Sequence, residues 1–312
     1  MRSPASLVIA TFVLAGSAGA LPAQGLPPIQ LSKLPHLAII SPVFFWDGKA
    51  DVVRTVSATC PNGRPIAGGV SIQKGNAALR IHESYPDGAS WVIRIVNQRS
   101  PAAAQPLQVR AFAVCMLPVA RGGSVQIAQY PKLLQASHRF ALAPGDVSTA
   151  ERQPCAQNTL VVSGGFGLDP KFSGASFVRM ELSYPDKSAW NVRAVNGADA
   201  AHSPADVRVH GICLGTEDGV SIRDYQSIYF AEATVRVKPG DGAVRQSVSC
   251  GSASAHAIGG GARLMRGKKD VEIETQESFP DTSGSWLVAV ANRSPGDSGD
   301  ATVKLYAVCI KP

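Results

Sequence analysis

Two carboxylates at equivalent positions, Glu83 and Glu277, are the residues of this sequence best placed to do acid–base chemistry. Each precedes a Ser-aromatic-Pro-Asp run, Ser84 to Asp87 and Ser278 to Asp281. A third such run, Ser183 to Asp186, carries Leu182 in that place. A carboxyl group tuned by its surroundings would serve as the acid of a hydrolase acting on envelope polysaccharide or peptide. The competing role is structural: a buried Glu satisfied by backbone N–H groups, such as those of a Gly-Gly segment, since an unpaired buried charge is too costly to keep. Leu182 shows that the fold does not need the charge, so the structural role is expected.

A second recurrent set combines rings with cations. Three segments ending in Cys repeat a basic residue, a ring and an aliphatic on one strand face: Arg110, Phe112, Val114; Arg208, His210, Ile212; and Lys304, Tyr306, Val308. Such faces suit a glycan or an anionic surface, held by stacking plus charge. Packing between copies is the expected use. Apolar residues on both faces of a strand mean that both are covered, and long basic stems cover apolar surface well. The six histidines, His36, His82, His138, His202, His210 and His256, show no H-x-x-x-H spacing, and no Cys-x-x-Cys is present. No metal or other cofactor is expected. Asn292-Arg293-Ser294 matches a glycosylation sequon at a repeated Asn position and is read as structural. Asp297 to Asp300 is read as a turn rather than a calcium site.

The elements that must hold these residues are set by the cysteines. Cys60, Cys155 and Cys250 stand 95 residues apart, and Cys115, Cys213 and Cys309 follow them by 55, 58 and 59 residues. Six cysteines permit fifteen pairings, but repetition selects one: Cys60–Cys115, Cys155–Cys213 and Cys250–Cys309. Other landmarks keep step. Gly68-Gly69, Gly164-Gly165 and Gly259-Gly260 follow the first Cys, and Trp91, Trp190 and Trp286 follow the Pro-Asp turn. Asn97, Asn196 and Asn292 each lie six residues beyond their Trp. This is an internal repeat.

Between landmarks the apolar residues alternate with period two, as in half-buried strands. Trp91, Ile93 and Ile95 share one face, as do Trp190, Val192, Ala194 and Trp286, Val288, Val290. The same alternation places Leu79, Ile81, Glu83 and Tyr85 together, with Glu83 inward. Pro-Asp is turn chemistry, so strand, turn and Trp strand read as a hairpin. The double Gly is expected to let a backbone pass close to the Trp ring or the bridge. The expected fold is all-β: three tandem, disulfide-stapled antiparallel units of about 95 residues, sandwich-like or arranged around a pseudo-threefold axis. The units span residues 24–118, 119–215 and 216–312.

Composition agrees with short strands and many turns: 30 Gly, 22 Pro and few aromatics in 312 residues. A net charge of +7, spread without a Lys/Arg block, argues against a dedicated nucleic-acid site. Residues 1–20 read as a signal peptide, with Arg2, the apolar run Ala5 to Leu14 and an Ala18-Gly19-Ala20 cleavage site. Cleavage after Ala23 is the alternative. No later run reaches membrane-spanning length. An exported, periplasmic or extracellular protein follows, in a compartment where disulfides persist.

The run of Cys250, Gly259 to Ala262, Glu277 to Pro280, Trp286, Asn292 and Tyr306 to Cys309 resembles a small repeat of little-characterised bacterial secreted proteins. Similar units occur near the ends of some phage or collagen-like fibre proteins. The resemblance covers about 60 residues per copy, with departures at Leu182 and in the two glycines of copy one. It implies a structural or binding role without catalytic residues. The expected function is non-enzymatic, multivalent binding or adhesion, or a structural role, with a glycan or cell-surface protein as partner. A hydrolase using Glu83 or Glu277 and a purely mechanical envelope component are the alternatives.

Overall fold

The computed structural model describes residues 29–30, 37–46, 53–61, 63–74, 79–97, 107–116, 132–148, 150–169, 178–198, 204–215, 228–266, 271–296 and 299–311. The signal peptide, His36 and His202, Asp297 and Ser298, and the unit boundary at 118 lie outside the described residues, whereas Gly215 is the last described residue before the other boundary. Every regular element among the described residues is a strand. The first unit holds β1 (Ile29–Gln30), β2 (Leu37–Ile40), β3 (Val43–Trp46), β4 (Val53–Thr59), β5 (Arg64–Lys74), β6 (Leu79–Asp87), β7 (Ser90–Asn97) and β8 (Leu107–Met116). The second holds β9 (Lys132–Leu142), β10 (Glu151–Pro154), β11 (Leu160–Leu168), β12 (Val178–Asp186), β13 (Ala189–Asn196) and β14 (Ala205–Gly215). The third holds β15 (Ile228–Val237), β16 (Val244–Val248), β17 (His256–Arg266), β18 (Ile273–Pro280), β19 (Trp286–Asn292) and β20 (Ala301–Ile310).

The pairing of these strands joins the units in a ring. One sheet runs β4-β7-β6-β11-β14-β9 and combines units one and two. Another runs β10-β13-β12-β17-β20-β15 and combines units two and three. The last runs β1-β2-β8-β5-β18-β19-β16, with β3 also on β8, and so combines units three and one. Each unit is a wedge of two facing half-sheets, and each half-sheet continues into a neighbour. Shared sheets exclude units that stand apart as independent sandwiches, and the three wedges are arranged around a pseudo-threefold axis. Strands β5, β11 and β17 touch one another there, as do β6, β12 and β18.

The repeated landmarks explain the geometry. A Cβ built on Gly68 would sit 2.1 Å from the Trp91 ring, and on Gly164 or Gly260 2.3 Å from Trp190 or Trp286. The second glycine of each pair admits a neighbouring unit. Cβ atoms on Gly69, Gly165 and Gly261 would fall 1.6, 1.9 and 1.8 Å from the carbonyl oxygens of Ser278, Ser84 and Ser183. In the third copy the equivalent pair is thus Gly260-Gly261, one residue beyond the pair read from spacing. The same serines accept a hydrogen bond from the indole N–H of their own wedge: Trp91 to Ser84 (2.9 Å), Trp190 to Ser183 (2.7 Å) and Trp286 to Ser278 (2.8 Å). A buried indole donor needs such an acceptor.

Register repeats at all three seams, with Phe166 opposite Ser84, Ala262 opposite Ser183 and Val70 opposite Ser278. The axis encloses a cavity of about 20 Å³ lined by equivalent residues of the three units, among them Gly68, Gly164, Gly260, Ser84, Ser183 and Ser278. Type II turns close the leading strands of units two and three: Pro144 and Pro239 precede Gly145 (φ 79°) and Gly240 (φ 78°). Asn196 and Asn292 donate from Nδ2 to the carbonyls that end those strands, Leu142 (2.9 Å) and Val237 (3.2 Å). Each disulfide ties the two sheets of its own wedge: Cys60–Cys115, Cys155–Cys213 and Cys250–Cys309. Closing 55 to 59 residues contributes about 4 kcal/mol apiece in the chain-entropy model.

A methyl group at the seam glycine has nowhere to go, because the atom it meets is backbone. Gly165→Ala is expected to destabilise the chain by about 3 kcal/mol or more, the upper range of overpacking. Gly242→Ala, where nothing lies within 4 Å, should stay within about 0.5 kcal/mol. Urea unfolding midpoints of the two variants check this, and equal midpoints would contradict the seam geometry.

Candidate functional site

The three ring-and-cation faces lie on the outer side of β8, β14 and β20, where each closing strand runs beside a seam. The rings stack across those seams on the aromatic residue of the neighbouring Ser-aromatic-Pro-Asp run. Phe112 lies 4.9 Å from Phe279, His210 5.3 Å from Tyr85, and Tyr306 6.0 Å from Tyr184, with interplanar angles of 17° to 18°. The structure thus brings Phe112, His210 and Tyr306 into contacts between units, as the covered strand faces suggested. Tyr85, Tyr184 and Phe279 belong to the same faces and were not singled out from sequence. Their signal was available: one aromatic position recurs in all three runs.

The cations flank these pairs. Arg263 lies over the Tyr184 ring at 5.5 Å, and Lys304 lies 6.0 Å from the Tyr306 centroid while pairing with Glu232 at 2.8 Å. Burial, assisted by the charge of Arg208, drives the His210 imidazole down to about 4. At neutral pH it therefore stacks on Tyr85 as a neutral ring. Burial also raises Tyr85 and Tyr184, so both phenols stay protonated. Arg110 and Arg208 lie beside Phe112 and His210 on the same strand faces and are partly exposed.

Glu83 and Glu277 are buried, but not on the inward face that simple alternation gives. A bulge in each hairpin shifts the register between Ile81 and Glu83, Met180 and Leu182, and Thr275 and Glu277. Leu79, Ile81 and Ser84 face the wedge core, whereas Glu83 and Tyr85 turn to the outer side. There Glu83 accepts from Arg94 (2.6 Å) and from the Leu168 backbone N–H of the next unit (3.0 Å). Glu277 accepts from the Ile72 N–H (2.5 Å) and pairs with Arg245 (2.7 Å). Burial raises both carboxyls, while these donors pull the other way. The N–H groups come from the Gly-Gly strand of the adjacent unit, so each carboxylate is a seam fastener.

The bulged residues themselves, His82, Glu181 and Gln276, are all polar and buried. Around them gather Arg80, Arg179, Arg193 and Arg293 with Glu272 and Glu274. Arg193 pairs with Glu181 at 3.0 Å, Arg80 with Glu274 at 3.0 Å and Arg179 with Glu272 at 3.3 Å. Thr275 donates to the Glu181 carbonyl (2.9 Å), crossing from unit three to unit two. Burial raises Glu181 to about 7 against the pull of Arg193 and Arg179, and burial lowers His82 to about 4. Among the described residues no group of three His, Cys, Asp or Glu side chains has metal-site geometry. No helix among them is long and apolar enough to cross a membrane.

No family model matches the chain, and a search of curated proteins returned no match. What the fold and its faces define is a class: an all-β, disulfide-bonded chain of three units closed by shared sheets. The three disulfides fit an oxidising, exported compartment.

The two shifted groups act in opposite senses. A carboxyl raised in the folded state, such as Glu181, favours folding at low pH and loses that contribution as pH rises from 4.5 to about 7. A histidine lowered to about 4 contributes stability above 6.5 that disappears as pH falls through the folded value. Relative to the unaltered chain, Glu181→Gln should therefore lose stability on acidification from pH 7 to 4.5, and His82→Gln should gain it between 6.5 and 4. Each difference is about 3 kcal/mol at most. Denaturant midpoints across this range check the signs, and parallel curves for all three proteins would refute them.

Proposed function

We propose that this chain is an exported, non-enzymatic binding protein that engages a cell-surface glycan through several near-equivalent faces at once. The observation that carries the proposal is the triple recurrence of one surface: a basic residue on the closing strand beside a ring pair that spans a seam. Three weak sites on one rigid frame give avidity without a deep pocket. The leader-like segment at residues 1–20 and the disulfides support export to the periplasm or beyond it. The resemblance to repeats of secreted proteins points the same way.

The carboxylates support binding over hydrolysis. A general acid must reach the proton acceptor of its substrate, whereas Glu83 is fully buried and held by Arg94 and Leu168. Glu277 is held in the same manner. An active site also needs one asymmetric constellation of converging groups, and here the two equivalent carboxylates lie apart at two different seams. Glu83→Gln and Glu277→Gln are thus stability variants rather than activity variants.

The test is an array of neutral and acidic glycans probed with the full chain and with the variant Arg110→Gln/Arg208→Gln/Lys304→Gln. Single changes should weaken retention less than about tenfold, and the triple change by about a hundredfold or more, as loss of avidity requires. Equal retention of the triple variant, or no glycan bound by the unaltered chain, would overturn the proposal. So would turnover of any arrayed glycan.

A further inference from the structure

The seam between units three and one differs from the other two. Its ring pair is Phe112 on Phe279, with neither hydroxyl nor imidazole. Beside the pair lies a cavity of about 200 Å³ lined by Arg110, Phe112, Phe279, Ser41, Gln73 and Asp281, among others. In unit three, Glu232 stands opposite Tyr306 and pairs with Lys304. In unit one the edge strand pauses at Ser41 and Pro42, between the pairs Ile40 with Ala113 and Val43 with Arg110. The unbroken register puts the small Ser41 opposite Phe112, as Ser137 stands opposite His210 in unit two, whereas unit three has its acid there. No carboxylate of the edge strand answers Arg110, and the shortened side chain leaves room.

Arg110 marks this seam further. Its Nε is buried and has no hydrogen-bond partner among the described residues. A buried donor without an acceptor is costly, and a charged one more so. Asp281, also on the cavity lining, is anchored by Ser247, Ser283 and Ser285. The lining therefore combines an apolar ring pair, a guanidinium and a carboxylate that can accept from hydroxyl donors. It is smaller than the roughly 300–1,000 Å³ that encloses a drug-sized ligand, which limits it to one ring.

We propose that this cavity binds a single carboxylate-bearing pyranose ring, its carboxylate on the Arg110 guanidinium and its apolar face against the Phe112–Phe279 pair. The hydroxyls lie toward Asp281, Gln73 and Ser41. This assignment rests on the glycan-binding role of the seam faces and adds to it a ligand class and a place. Seams one–two and two–three, with His210 on Tyr85 and Tyr306 on Tyr184 in place of the phenylalanine pair, supply contact without acid recognition.

Nuclear magnetic resonance titration of the full chain with glucuronate, glucose and benzoate tests it. Glucuronate should saturate shifts of Phe112 and Phe279, and glucose and benzoate should each bind at least about tenfold more weakly. A charge-assisted hydrogen bond sets that scale. Arg110→Gln should remove the preference for glucuronate over glucose, while Lys304→Gln should leave it unchanged. Should Arg110→Gln fail to fold, Arg110→Lys replaces it: charge without a guanidinium fork should weaken glucuronate severalfold. The assignment is overturned if glucose or benzoate matches glucuronate, or if the folded Arg110 variant binds glucuronate unchanged. Should that occur while array binding persists and depends on Arg208 and Lys304, only the cavity assignment falls. Loss of all array binding removes the broader role as well.

Discussion

The close approach of two backbones at each seam is the constraint on which the rest of the molecule depends. Gly69, Gly165 and Gly261 present bare Cα atoms to the carbonyls of Ser278, Ser84 and Ser183, so the inner strands of neighbouring wedges pair as one sheet. The preceding glycines let the tryptophan rings pack flat beneath the same strands. The seam serine then accepts the indole N–H on one side while its carbonyl meets a glycine on the other. Four of the repeated residues, Gly, Gly, Ser and Trp, thus serve a single contact. None of them is available for chemistry elsewhere.

That economy accounts for the character of the outer faces. Once a seam forms, the residues flanking the serine are carried to the outer side, and there they meet the closing strand and the Gly-Gly strand of the next wedge. The aromatic residue finds a ring, and the acidic residue finds the backbone N–H of Leu168 or Ile72. At the seam between units two and three Leu182 replaces the acid, and the fold accommodates an apolar contact instead. Burying a charge is tolerable only where donors surround it, so Glu83 and Glu277 each come with an arginine, from different strands: Arg94 on β7 and Arg245 on β16.

Much of this was legible in the sequence. The spacing of Cys60, Cys155 and Cys250 announced three units, and the repetition of the second cysteine assigned the bridges that the structure contains. Alternation gave the Trp strands correctly, with Trp91, Ile93 and Ile95 all in the core. It failed at Glu83, because a bulge inserts one residue and reverses every later side chain. His82, Glu181 and Gln276 carried the clue, being polar residues in the middle of otherwise apolar strands. The pairing of β5 with β18 lies beyond local pattern: it joins residues about 200 positions apart, and nothing in either strand alone names its partner. The third glycine pair was displaced by one, since the first Cys stands ten residues before Gly260 but eight before Gly68.

The ring of shared sheets also has a consequence for how the molecule comes apart. Tandem repeats that stack in a line lose their ends first, because a terminal repeat has only one neighbour and needs a capping unit to protect it. Here the first unit is bonded to the third through β5 and β18, so every unit has two neighbours and none is terminal. Detaching any one of them exposes two seams and leaves the other two wedges with unpaired inner strands. Fraying has no starting point, and the chain is left with a choice between the closed ring and general collapse of its order.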